Sequence, residues 1–189
     1  MTGRSSLFFG GELEMYPAGT VVFFNASNEA NRLQAFASHL AFRIFTKSNF
    51  GHVAFARGDG QCYAAIAGWG VVDDESDANA NAHLPYKGDF LNVTTFIRQH
   101  LGEPYNFLGM LLCNPIYNLS GRRIRLYGQN WWNCATLLAC AFLADPECPE
   151  PVRKALSSRD VGATTPQDIY DALLLQEGVQ PDPPSQPKQ

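Results

Sequence analysis

The sequence predicts an α+β domain in which a small antiparallel sheet packs on a buried helix. Strand-like runs rich in β-branched and aromatic residues lie at 20–25, 51–57 and 61–66. The Asp59-Gly60 pair between the last two runs is a strong signal for an antiparallel hairpin. The run from 134 to 144, CATLLACAFLA, is apolar all round, which indicates a helix buried on every side.

Length and composition favour one domain. A chain of 189 residues can build one substantial core, and its 46% hydrophobic and 17% charged residues are typical of a packed globular protein. We expect an N-terminal extension at 1–14, a single domain at 15–178 and a disordered proline-rich tail at 179–189.

The net charge of -4 argues against general binding to nucleic acid or to anionic lipid. The basic run at 122–125 is interpreted as a solvated loop, with a local anion or polymer contact as the alternative. No apolar stretch reaches the roughly 20 residues of a membrane span, and the N-terminus lacks the apolar core of a signal peptide. We therefore expect synthesis in the cytoplasm, no stable membrane insertion and, for any export, a signal-independent route.

The first half of the chain is predicted to alternate turns and strands around one helix. Pro17-Ala18-Gly19 indicates a turn into the strand at 20–25, whose continuous apolar character predicts burial on both faces. Apolar residues then recur at helical spacing over 29–45, after Ser27 or Asn28 as the N-cap.

The remaining elements follow from composition and helix-end signals. The polar stretch at 73–83 predicts a surface loop or a flexible lid. A helical period runs from Phe90 to Leu101 and ends at Gly102. Thr165-Pro166 marks the start of a last helix.

Cys134 is the candidate nucleophile. A thiolate is stabilised by the unpaired N–H groups and the dipole of a helix start, and Cys134 follows a non-periodic entry segment, so it is expected at that start. Cys140 lies six positions on, on another face of the helix, and is expected to be inert core. The five cysteines are odd in number and form no CxxC pair, so neither a disulfide framework nor a zinc site with recognisable spacing is indicated. We expect no metal and no cofactor.

His52 is the candidate base, because only it begins a predicted core strand after a glycine. His39 and His100 fall in helical patterns, and His83 in the polar stretch remains an outside candidate. The alternative is that Cys134 is a core thiol and His52 a structural histidine.

Five segments, taken in order, resemble the circularly permuted NlpC/p60 branch of the papain-like superfamily. They are PAGTVVFF, TKSNFGHVAFARGDGQCYAA, LGEPYNFLG, NCATLLACAF and ATTPQDIYDAL. They are similar to the opening strand, the histidine hairpin, the Gly-x-Pro-Tyr segment, the cysteine helix and the closing helix of that family. The resemblance covers about residues 15 to 175.

The resemblance implies a papain-like permuted NlpC/p60 fold and assigns three roles. Cys134 matches the nucleophile and His52 the general base. Tyr105 matches a tyrosine whose hydroxyl lies near the nucleophile and supports the oxyanion together with the Cys134 backbone N–H. The alternative for Tyr105 is an aromatic side chain packed in the turn after Pro104.

The sequence departs from the family at the residue that orients the histidine ring. That residue usually lies twelve positions after the histidine, where this chain has Ala64, which cannot accept a hydrogen bond. The ring is then oriented by a residue elsewhere, with His83, Asp59 and Asp73 as candidates, by a backbone carbonyl or by water, or else activity has been lost. Two further departures, Thr20 for the opening Asp and Ala135 after the nucleophile, do not touch the bond-making step.

The resemblance implies a cysteine hydrolase that cleaves an amide in peptidoglycan peptides. Such a cell-wall amidase or endopeptidase would suit a delivered antibacterial effector or a phage-type hydrolase, and an effector would be paired with an inhibitor or immunity protein.

Two alternatives stay open. The first is a lipid acyl hydrolase or acyltransferase of the lecithin retinol acyltransferase type, although Ala135-Thr136-Leu137 replaces the Glu-His-Phe that follows the cysteine in those enzymes. The second is a catalytically inactive binding module, as Ala64 would suggest.

Overall fold

The computed structural model describes residues 15–25, 48–106, 132–158 and 161–181. The strands are β1 (Thr20–Phe24), β2 (His52–Ala56), β3 (Gln61–Ile66), β4 (Gly70–Ser76) and β5 (Ala82–Pro85). The helices are α1 (Phe90–Gln99), α2 (Cys134–Ala144), α3 (Glu150–Ser157) and α4 (Pro166–Gln176), with a 3-10 turn at Val161–Ala163.

The five described strands form one antiparallel sheet in the order β4-β3-β2-β1-β5. The predicted hairpin is confirmed as β2 and β3, closed by a 2.8 Å hydrogen bond from Arg57 N to Gln61 O. Gly58 and Gly60 in this turn have φ values of 94° and 81°, which side chains other than glycine rarely allow. The described part of the chain therefore confirms the α+β class.

Both faces of the sheet are buried. Because side chains alternate along a strand, Val21, Phe23, Val53 and Phe55 pack with the helices in the main core. A second buried cluster on the other face contains Val22, Ala54, Ala56, Cys62 and Ala64. The prediction that the first strand is buried on both faces is confirmed.

Helix α2 lies at the centre of the helical layer. It contacts β2 and β3 on the sheet side and α1, α3 and α4 among the helices. It begins at Cys134, as predicted, and its side chains are almost all buried, although Cys140 is only half-buried. Within the described residues no helix has the length and apolar character needed to cross a bilayer.

The prediction of a surface loop at 73–83 is wrong at both ends. Residues 73–76 belong to β4 and residues 82 and 83 belong to β5. In the short connection between them Asp77 is only 3% exposed, and its carboxylate accepts the Tyr16 N–H at 3.2 Å. Both strands lie at edges of the described sheet, where polar side chains are common because water reaches one side. The connection is therefore tied to the segment before β1 through Asp77.

The helix-end signals predicted three of the four described helices. Helix α1 ends at Gln99, two residues before the predicted end. Helix α4 begins at Pro166 with a full capping box, in which Thr165 and Asp168 each accept the other's backbone N–H. Helix α3 was not predicted, since its eight residues show only two buried positions.

Several expectations fall outside the described residues. These are the helix at 29–45 with His39, the basic run at 122–125, Cys113, the extension at 1–14 and most of the tail.

A buried carboxylate joins the end of α2 to the start of α1. Asp145 is 1% exposed and accepts hydrogen bonds from Tyr86 Oη at 2.8 Å, Asp89 N at 2.9 Å, Asn92 Nδ2 at 2.9 Å and Glu147 N at 3.0 Å. Burial acts to raise the pKa of this carboxyl, but the four hydrogen bonds outweigh it and hold the pKa below its usual range.

We expect Asp145→Ala to lower the free energy of unfolding by about 3 kcal/mol, because it leaves several buried donors without an acceptor. Urea titration at neutral pH measures this loss. Glu177→Ala is the matched control, since Glu177 forms an exposed ion pair with Lys87 at 2.8 Å and such pairs contribute less than about 1 kcal/mol. Equal losses in the two variants would show that Asp145 does not anchor the helices.

Candidate active site

Cys134 is the first residue of α2. Asn133 caps the helix, and its side-chain oxygen accepts the Thr136 N–H at 2.8 Å. The cap fixes where the helix begins, so the thiol lies among the backbone N–H groups of the first turn, where the helix dipole favours negative charge. The residue is 4% exposed and packs with the main core.

His52 is the first residue of β2. Its backbone pairs with Phe24 on β1, and the two rings lie 5.5 Å apart between centroids. The preceding Gly51 donates its N–H to Phe24 O at 2.9 Å, which ties the entry of β2 to the sheet. The imidazole is held against an aromatic ring and keeps 22% of its side chain exposed.

The fold brings His52 and Cys134 together across the interface between sheet and helix. The helix that begins at Cys134 contacts the strand that begins at His52. Burial acts to lower the pKa of His52, but charge interactions and hydrogen bonds with Cys134 and with Glu75 outweigh it and raise the pKa from 6.5 to about 10. The raised pKa favours the protonated form of the ring.

Glu75 on β4 is the carboxylate that orients His52. Its Oε2 lies 2.8 Å from His52 Nε2, and its side chain is 19% exposed. Glu75 was not predicted as a site residue, because the polar composition of 73–83 indicates a loop. The turn glycines Gly68 and Gly70, with φ values of 87° and 84°, lie between two strand-like runs and were the signal that could have revealed β4.

None of the three residues proposed to orient the ring has a described contact with His52. Asp59 pairs with Arg57 at 2.8 Å, and Asp73 lies 3.7 Å from the same guanidinium. His83 lies on β5, at the opposite edge of the sheet from β4, and packs on Tyr16 with 4.8 Å between ring centroids. The expectation for these residues is corrected to Glu75.

Ala64, at the family's usual position, lies on β3 and pairs with Val72 of β4. The β3–β4 ladder shifts register between Cys62 and Ala64, so that Glu75 pairs with Cys62. The carboxylate therefore reaches the His52 ring from β4, which lies beyond β3 in the sheet, rather than from β3 itself. This contact depends on an irregularity of pairing that a count of residues from the histidine cannot predict.

Tyr105 lies beside the segment that leads into α2. It forms a parallel bridge with Trp132, two residues before Cys134, and packs against the main core. Trp132 N donates to Pro104 O at 3.1 Å, and Asn106 N donates to Trp132 O at 2.9 Å. The structure thus places the Tyr105 backbone beside Trp132, two residues before Cys134. A role of the Tyr105 hydroxyl at the oxyanion stays a prediction.

The other described cysteines are poor competitors for the role of nucleophile. Cys62, Cys140 and Cys148 are free thiols like Cys134. Burial raises the pKa of Cys140 to about 11, and it likewise raises the pKa of Cys62 and of Cys148. Within the described ranges no three histidine, cysteine or acidic side chains are grouped so that they could hold a metal ion.

Comparisons with family models, with curated proteins and with solved structures found no match to this chain. The geometry of the Cys134, His52 and Glu75 side chains is therefore the main basis for the function proposed below.

We expect Glu75→Gln to lower the pKa of His52 from about 10 toward its ordinary value, because the amide removes the negative charge beside Nε2. NMR titration of the His52 ring protons in both proteins measures this change in pKa. Asp73→Asn is the control, since this carboxylate on the same strand interacts with Arg57.

The same change should alter the pH dependence of stability. A histidine pKa raised on folding stabilises the fold fully below about 6.5, and this contribution is lost as the pH rises toward about 10. The Glu75 variant should therefore be destabilised mainly at neutral and lower pH, and an unchanged His52 titration would contradict the pairing.

Proposed function

We propose that this chain is a cysteine hydrolase of the permuted NlpC/p60 type, with Cys134 as nucleophile, His52 as general base and acid, and Glu75 as the residue that orients His52. One observation supports it above all. A half-buried imidazole on β2 interacts both with a thiol at a helix start and with a carboxylate on β4, the second strand along the sheet. This is the arrangement that cysteine hydrolysis needs.

In the proposed reaction the Cys134 sulfur, having given its proton to His52, attacks the carbonyl carbon of an amide. With Glu75 on Nε2, Nδ1 is the nitrogen that exchanges the proton with sulfur. The tetrahedral oxyanion is stabilised by the Cys134 backbone N–H and, as the resemblance implies, by the Tyr105 hydroxyl.

The C–N bond then breaks. The leaving amine takes the proton from His52, and a thioester to Cys134 remains. His52 next removes a proton from water, whose oxygen attacks the thioester. The products are a carboxylic acid and the regenerated thiol, so atoms and charges balance without a cofactor.

Glu75 also bears on the alternative of an inactive binding module. That interpretation rested on Ala64, which leaves the usual position without an acceptor. Because a carboxylate reaches the ring from β4 instead, the absence of an acceptor at Ala64 no longer argues against turnover.

The resemblance suggests an amide of peptidoglycan peptides as the substrate, and a delivered antibacterial effector or phage-type hydrolase as the setting. The finer fold class belongs to the same proposal. It is supported by a histidine that begins a strand of an antiparallel sheet and a cysteine that begins the helix packed on it.

Incubation with purified peptidoglycan should release new free amines and carboxylates, identified by mass spectrometry of the soluble fragments. Cys134→Ala should abolish release, with a loss of at least about 1,000-fold, because it removes the sulfur that forms the thioester in the proposed reaction. Cys140→Ala is the matched control on the same helix and should retain nearly full activity.

Phosphatidylcholine vesicles form a second arm of the experiment. Fatty acid release that requires Cys134, with intact peptidoglycan, would replace the amidase proposal by the lipid acyl hydrolase alternative. Equal activity of the Cys134→Ala variant and the wild type on either substrate would overturn the cysteine mechanism.

A further inference from the structure

A second carboxylate, Glu103, lies where three parts of the fold meet. Its side-chain oxygen accepts the indole N–H of Trp132 and lies 3.0 Å from His100 Nδ1. Its backbone oxygen accepts the Val71 N–H at 2.9 Å, and the Gly102 N–H returns a bond of 2.9 Å to Val71 O. One residue thus joins the start of β4, the end of α1 and the segment before α2.

Trp132 is held by both its backbone and its side chain. Its N–H and carbonyl bond to Pro104 and Asn106 respectively. The residue is 8% exposed. Its ring packs on His100, with 4.6 Å between ring centroids, and edge-on against Phe96 at 5.9 Å. The indole N–H is a donor only, so it needs one acceptor, which Glu103 provides.

Trp132 lies two residues before Cys134, and only the helix cap Asn133 separates them. Whatever fixes Trp132 therefore fixes the point from which α2 departs. Strand β4 in turn bears Val71, which binds Glu103, and Glu75, which binds His52. The positions of Cys134 and His52 therefore both depend on contacts with β4.

We propose that Glu103 is a positioning residue that sets the distance between the Cys134 sulfur and the His52 ring by holding Trp132 against β4. This inference rests on the proposed cysteine hydrolase function. Reaction rates depend strongly on the placement of the reacting groups, since a displacement of about 1 Å can lower the rate as much as 100-fold. A carboxylate remote from the reacting atoms can therefore control the rate.

The test uses the full chain and four variants. Glu103→Ala removes the acceptor, and Trp132→Phe removes the donor while keeping an aromatic ring. Glu103→Gln keeps an acceptor oxygen for the indole. The double variant of Glu103→Ala with Trp132→Phe closes a double-mutant cycle. Glu150→Ala, on the exposed start of α3, is the matched control for a lost glutamate.

The first readout is the rate constant for alkylation of Cys134 by iodoacetamide at neutral pH, followed by peptide mass spectrometry. Glu103→Ala and Trp132→Phe should each slow it by about tenfold, an effect within the range that misplacement of catalytic groups produces. Glu103→Gln should stay within about twofold of wild type, and the double variant should be no slower than either single variant.

The second readout is the split between kcat and KM on peptidoglycan fragments, with urea unfolding alongside. A positioning role predicts a lower kcat at similar KM, in variants that remain folded under the assay conditions. Single-variant losses that multiply in the double variant would overturn the proposal, as would equal losses in Glu103→Gln and Glu103→Ala.

The failure of the underlying function has a different signature. If wild-type Cys134 is alkylated no faster than Cys140, the hydrolase proposal fails irrespective of Glu103. If wild-type Cys134 is fast and Glu103→Ala matches it, only the positioning role fails. Should Glu103→Ala not fold, Trp132→Phe still decides, because it removes the same hydrogen bond.

Discussion

The interaction of the His52 ring with Cys134 and Glu75 is the one on which the rest of the site depends. A half-buried imidazole in isolation would be neutral at pH 7, because burial disfavours the protonated form. Two partners reverse this, one a thiol on a helix and the other a carboxylate on a strand. A partly buried charge is tolerated only when its partners are held in place, so the site requires that α2 and β4 keep fixed positions relative to β2.

The core provides most of that fixation. The helix-facing side chains of β2 and β3 pack against α2, so the helix cannot slide along the sheet without losing apolar contacts. The cap at Asn133 sets the axial position at which the helix begins, and the Asp145 network secures its far end. Together they place the thiol at the strand start where the histidine lies.

Local signals predicted much of this fold, and one part of the site. Strand β1, the β2–β3 hairpin and the starts of α2 and α4 were predicted because turns, caps and periodicity act within a few residues. The candidate pair of Cys134 and His52 was proposed because the first turn of a helix and a strand after glycine are recognisable in sequence.

Glu75 could not be found in the same way. Its strand lies at an edge of the described sheet, and its polar side chains resemble the composition of a loop. Its contact with His52 accompanies a shift in register beside Ala64. Cross-strand contacts of this kind depend on pairing over long sequence separation. The residue that orients His52 is therefore identified by its contact with the ring in the structure and not by its number of residues from the histidine.

Chemical cross-linking tests the central claim most directly. A short bifunctional bromoketone that alkylates a reactive thiol can couple it only to a second nucleophile within a few ångströms. Alkylation removes the negative charge that Cys134 can carry, so His52 loses its proton more easily and can act as that second nucleophile. If the account is correct, peptide mapping will find one dominant product that joins Cys134 to His52. Attachment to Cys134 with coupling to another residue, such as His100, or with no coupling at all, would contradict it.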